Sequence, residues 1–240
     1  MLLLALAYRA IAPPLPSPEP GSRKAAIVDQ TALSQPNTEF TQEALAYLTT
    51  AGFEVDLFEG EEVSVEFYRT LPTMGYQWII FRAHATNDFL DPAPPGEPVY
   101  LYTGERHDKA RYTFEQLTRQ IMAGKVLYEE DSPSLFIIGP GFVRRSMEGR
   151  FDGTTILLGG CDSLSTTDMA EALVERGASV VIGWNGLVDL FHNDRTVLYL
   201  LRLLAVDKVP LDLAMTRTML EIGPDPTYKS VLTWYPAHPS

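Results

Sequence analysis

Residues 153–178 read GTTILLGGCDSLSTTDMAEALVERGA and contain Cys161, the only cysteine of the chain. The run TTILLGG is short, apolar and bounded by glycines, which predicts a strand buried on both faces of a sheet. Behind it, SLSTTDMAEALVERGA has helical apolar spacing. It starts in the manner of a capping box at Asp168 and Glu171 and stops at Gly177. SVVIGWN then predicts a second buried strand. Strand, helix and strand at this spacing imply parallel pairing through a right-handed crossover.

The same grammar extends outward. KAAIVDQ (24–30) predicts a first strand. A helix over TEFTQEALAYLTTAG follows, capped by Thr38 or Thr41 and stopped by Gly52. FEVDLFEG predicts a second strand, VSVEFYRTLPTMG a short helix broken at Pro72, and YQWIIFRAHAT a third strand. Towards the C-terminus, DRTVLYLLRLLAV and PLDLAMTRTMLEI are amphipathic helices and SVLTWYP a last strand. The expected fold class is α/β, a central mainly parallel sheet with helices on both faces. Between 87 and 96 the composition turns to Asp, Pro and Gly, which marks a loop. A helix over TFEQLTRQIMAG lies between EPVYLYTG and KVLYEEDSPSLFIIGPG, and a hairpin or insertion is expected within about 90–150.

Composition bounds the function. The chain has 240 residues, 45% apolar and 21% charged, with a net charge of −12. That charge leaves no basic field for phosphates, so nucleic acid is excluded as a partner. One cysteine excludes a disulfide framework and a cysteine-rich metal site. GGCDS lacks the lysine and fuller glycine pattern of a phosphate cradle, and no cofactor is predicted. Residues 1–23 form an apolar segment and a proline-rich linker ahead of a single domain over 24–240. MLLLALAYRAIA is far short of the roughly 20 residues that span a bilayer and lacks a basic leader. It reads as an anchor or export remnant, the one expected membrane contact, or as a plain apolar tail.

In parallel sheets functional groups gather beyond the carboxyl ends of the strands. His84 closes WIIFRAH there, and Cys161 closes ILLGGC. A lone cysteine is more often a small buried hydrophobe than a nucleophile. Here two glycines precede it and a helix follows, whose N-terminal dipole favours a thiolate. His84 is expected on the neighbouring strand, in reach to act as the base, with backbone N–H groups of Cys161 and Ala85 as the oxyanion hole. His192 is the fallback base. His107 falls in a solvated loop and His238 in a frayed tail, while Asp189, His192 and Asp194 form only a weak metal pattern.

The ordered set of strand-His84, ILLGGCDSLS, ERGASVVIGWNGLVD and LDLAMTRTML resembles the caspase-like cysteine peptidases, above all the CHAT-type and gingipain- or clostripain-like branches. The resemblance covers roughly 24–235. It implies a three-layer sandwich and a cysteine endopeptidase that uses a His84–Cys161 dyad on a polypeptide substrate. It also implies a cleft walled by Trp184 and the loop behind it. Asp29 stands where some relatives carry a first-pocket acid, and Asp162 and Asp189 lie near the cleft. These acids and the net charge favour cleavage after a basic residue. Arg82 shares the His84 face and either pairs with Asp29 or receives an acidic side chain. Three features depart from the family pattern: Ala85 in place of glycine after His84, a long interval to Cys161, and Gly159 where several relatives carry an acid. Caspase-like domains also include inactive members, so a binding or assembly module is the alternative.

Overall fold

The carboxyl edge of the central sheet is set by one register row. β1 (Lys24–Asp29) pairs parallel with β3 (Tyr76–Arg82), bringing Asp29 opposite Arg82, and β3 pairs parallel with β8 (Thr155–Gly159), bringing Arg82 opposite Gly159. The structure is a computed structural model that describes residues 23–87, 96–125 and 133–236. The predicted anchor remnant, the 88–95 part of the loop and His238 lie outside these residues.

Six strands form the central sheet in the order β10-β9-β8-β3-β1-β2, with β2 at Glu54–Glu59, β9 at Val180–Trp184 and β10 at Leu232–Tyr235. All neighbours run parallel except β10, which is antiparallel to β9. The interior of β1, β8 and β9 is a continuous apolar run because both faces are covered. Helices α1 (Thr38–Thr50), α6 (Leu190–Leu201) and α7 (Leu211–Glu221) bury one face. Helices α2 (Val65–Thr70), α4 (Pro140–Arg145) and α5 (Asp168–Glu175) bury the other. The molecule is a three-layer α/β sandwich.

The expected insertion carries a second sheet, ordered β4-β5-β7-β6: β4 is Ala85–Thr86, β5 Tyr100–Arg106, β6 Ile121–Gly124 and β7 Leu135–Ile138. Its inward side chains, Leu101, Ile121, Phe136 and Ile138, join the core on the α2–α4–α5 face. The long helix expected over 113–124 is not formed. α3 covers only Thr113–Leu117, and Arg119 turns to a left-handed φ of 53° before Ile121 pairs with Ile138. His107 is half-buried rather than solvated, with Nε2 2.9 Å from Gln116 Oε1 and its ring against Phe136. α1 is capped by Asn37, not by a threonine: its side-chain oxygen accepts the Phe40 N–H.

Asp29 and Arg82 are inside the protein, at 1% exposure each. Arg82 Nη1 donates to both Asp29 oxygens at 3.0 and 3.2 Å, and Nε donates to both Asp194 oxygens at 2.9 and 3.0 Å. Nη1 also reaches the Thr31 hydroxyl and the Gln35 carbonyl. Asp194 accepts further bonds from Asn37 and Asn193. The two acids therefore occupy the guanidinium, and neither Asp29 nor Arg82 is left to select a substrate side chain. Removing one member of such a group strands the others in low dielectric, at a cost of about 3–5 kcal/mol. Arg82→Met is expected to lose that much stability in urea unfolding, and Arg82→Lys to recover little of it, since an ammonium lacks the planar fork. A loss below about 1 kcal/mol, the scale of a surface pair, would show that the network is not integral to the fold.

Candidate active site

His84 and Cys161 each lie two residues beyond the Arg82–Gly159 row, just past the ends of neighbouring parallel strands. The backbones touch between them. Ala83 N–H donates to the Gly159 carbonyl at 3.1 Å. A Cβ built on Gly160 would lie 2.0 Å from the Ala83 carbonyl oxygen and 3.7 Å from the Ala85 nitrogen. Gly160 is thus a glycine because another backbone occupies the place of its side chain. The left-handed residue of the turn is Asp162, at φ 54°. Both expected oxyanion donors, on Ala85 and Cys161, flank this contact. Ala85 opens β4, opposite Leu101.

His84 is held by its backbone. Its N–H donates to Gln30 Oε1 at 3.0 Å, and its carbonyl accepts the Tyr102 N–H at 3.0 Å. The ring stands edge-on to Tyr102, and Nε2 is buried with no hydrogen-bond partner. Burial, and secondarily the Arg82 charge, lower its pKa to about 4, so the imidazole is neutral at physiological pH. A neutral imidazole with an unused nitrogen can accept a proton, but at a pKa of about 4 it is a weak base for this thiol.

The thiol departs from expectation. Cys161 is half-buried against the core on the α1–α6–α7 face. Its Sγ–H donates to the Val188 carbonyl at 3.4 Å, and the Val188 N–H donates back to the sulfur at 3.5 Å. Burial raises its pKa, and the Asp162 and Asp225 charges add to that against the Val188 bond. The α5 dipole does not offset this, because residues 161–167 form turns and bends and α5 begins only at Asp168. The resting pair is a protonated thiol and a neutral imidazole, not a preformed thiolate, and the thiol meets a loop rather than an open cleft.

The remaining candidates separate. Trp184 does not wall a cleft: it is 0% exposed, and its Nε1 donates to Asn193 Oδ1 at 2.9 Å, so it closes the core edge. Asp189 is exposed and caps α6, accepting the Phe191 and His192 N–H groups. Asp162 is half-buried, and its N–H donates to the Gly186 carbonyl at 2.9 Å. His192 packs against Trp184 with Nε2 buried and unpartnered. Asp194 turns to Arg82, so it does not converge with Asp189 and His192. No group of three His, Cys, Asp or Glu among the described residues could hold a metal. A cavity of about 420 Å³ between α1 and α6 is lined by Glu43, Tyr47, Phe191 and Tyr199 among others, and includes neither Cys161 nor His84.

Two residues at the site are not singled out by sequence reasoning. Val188 acts through its backbone, which no side-chain motif reports. Asp225 does carry a signal: in GPDPTY it precedes a proline in a turn-rich stretch, and its side chain accepts the Thr227 and Tyr228 N–H groups as an Asx turn. No helix of the described residues is long and apolar enough to cross a membrane. No protein-family model matches the chain, and no curated protein matches it in sequence.

The histidine gives a pH test. Its pKa is near 6.5 in the unfolded chain and about 4 in the folded one, so between those values the unfolded state binds more protons. The stability contributed by neutral His84 is complete above 6.5 and is lost as the pH falls towards 4. Between about pH 7 and about pH 4.5 the wild-type protein should lose roughly 2 kcal/mol more unfolding free energy than His84→Gln. Equal losses would mean that the imidazole is not desolvated.

Proposed function

We propose that the chain is a cysteine endopeptidase of caspase-like type, with Cys161 as nucleophile and His84 as base. One observation supports this above others. Two side chains of complementary chemistry leave adjacent parallel strands at the same step past a shared row, and a glycine keeps their backbones in contact. His84 Nε2 takes the thiol proton as the sulfur attacks the scissile carbonyl. The developing oxyanion is met by backbone N–H groups of Ala85 and Cys161. The imidazolium returns the proton to the leaving amine, and water then cleaves the thioester, regenerating thiol and neutral imidazole. With Asp29 neutralised by Arg82, a preference for a basic side chain rests on Asp162 and Asp189.

The Val188 contact with the thiol favours a second reading, a catalytically inactive module used for binding or assembly. The two are separated by labelling Cys161 with a peptidyl electrophile that carries a basic residue, and with iodoacetamide. The peptidase reading expects the peptidyl reagent to react at least about a hundredfold faster relative to iodoacetamide than it does with a free thiol, and His84→Ala to abolish the advantage. A ratio equal to that of a free thiol, unchanged in His84→Ala, would retire the peptidase and leave the module.

A further inference from the structure

Residues 185–189 lie between Cys161 and the C-terminal segment 225–231, and their backbone bonds alternate between the two sides. Gly186 and Val188 face inward: the Gly186 carbonyl accepts the Asp162 N–H at 2.9 Å, and Val188 exchanges two bonds with the Cys161 thiol. Leu187 and Asp189 face outward: the Leu187 carbonyl accepts the Ser230 hydroxyl, and the Asp189 N–H donates to Asp225 Oδ2 at 2.8 Å. Asn185 closes the upstream end through paired bonds with Val231. This alternation is that of an extended segment tied on both edges.

Asp225 holds the downstream end. It is 0% exposed, and its carboxylate accepts three backbone N–H groups, from Asp189, Thr227 and Tyr228. Burial alone would raise its pKa, but those three bonds outweigh it and leave the pKa lowered, so the group stays charged. Two of the bonds build a local turn that needs no distant partner. The third reaches back to the residue next to the one that grips the sulfur.

We infer that residues 185–189 are a self-closing cover over Cys161 and that Asp225 is its positioning residue, so that a substrate carbonyl reaches the sulfur only when the Asp189–Asp225 bond releases. The inference rests on the peptidase reading of Cys161. Val188 engages the S–H through its carbonyl and one of the two sulfur lone pairs through its N–H, so the thiol proton is committed to the segment while it is closed. Opening exchanges a few backbone bonds for bonds to water, a change that the binding of an extended peptide can offset with its own backbone.

The test exploits the geometry of one side chain. In Asp225→Asn the amide oxygen can stay with Thr227 and Tyr228 while the NH₂ group meets the Asp189 N–H, donor against donor. The turn is spared and the long tie is cut. Alkylation of Cys161 by iodoacetamide, which needs no peptide recognition, should then accelerate about tenfold, as expected for one lost hydrogen bond. The midpoint of its pH profile should also fall, because the charges bearing on the thiol are Asp162 and Asp225 and one of them is gone. Ser230→Ala loosens the Leu187 tie and leaves the Asp225 charge in place. It should give a smaller acceleration with no shift of the midpoint. Wild-type rates in both variants would overturn the cover. Faster alkylation with no peptidyl advantage in any variant would keep the cover and remove the peptidase. A peptidyl advantage with iodoacetamide rates unchanged by either variant would do the reverse.

Discussion

The guanidinium of Arg82, held between Asp29 and Asp194, is the constraint from which the carboxyl edge of this protein follows. It ties the ends of β1 and β3 to α6, and through Asn37 it reaches the first turn of α1. Two carboxylates and one arginine at a few per cent exposure would be a poor choice for stability alone, since apolar residues of similar volume often do as well. What the group supplies is register: the fork is satisfied only when Asp29, Arg82 and Asp194 meet in one geometry. Gly159 completes the arrangement, because a Cβ there would lie 2.7 Å from the Phe81 carbonyl and 3.2 Å from the Asn193 side chain. Since His84 and Cys161 are each two residues past this row, a slip in it would misplace both.

Most of the central sheet is legible in the sequence because its signals are local. AAIV, TILL and VVIG are runs that only a doubly covered strand accommodates, and Gly52 and Gly177 stop helices at φ values of 85° and 109°. The middle of the chain is not legible, for an equally physical reason. TFEQL is helical and IMAG is a strand, and what divides them is a left-handed Arg119 and the distant partner LFII. Nothing within TFEQLTRQIMAG announces that partner. The cap of α1 is Asn37 rather than a threonine, and the same side chain accepts from Phe40 and donates to Asp194, a partner 157 residues away.

The candidate site divides along the same line. Strand ends and their order are readable, and so is the placement of His84 and Cys161 just past adjacent strands. Period-two parity gives the face on which a side chain lies, but not whether helices cover that face. Asp29, Arg82 and Trp184 have the chemistry of binding residues and the position of binding residues, and α1 and α6 close over all three. Val188 and Asp225 escape for the converse reason. One works through its backbone and the other through contacts 36 residues away.

The protonation state of the pair follows from this closure. A thiolate–imidazolium pair is favoured where helix dipoles or cations stabilise the sulfur and a carboxylate supports the histidine. Here the charges near the sulfur are Asp162 and Asp225, and the charge near the imidazole is Arg82. Each has the sign that opposes ionisation of its neighbour, and burial acts the same way on both groups. The neutral pair is therefore the lower state, and the thiol bonds Val188 rather than His84. On the peptidase reading, a basic substrate side chain relieves part of this opposition at the sulfur. Placed beside Asp162, it offsets one of the two charges that add to burial in raising the thiol pKa, while the peptide displaces Val188 and frees the thiol proton.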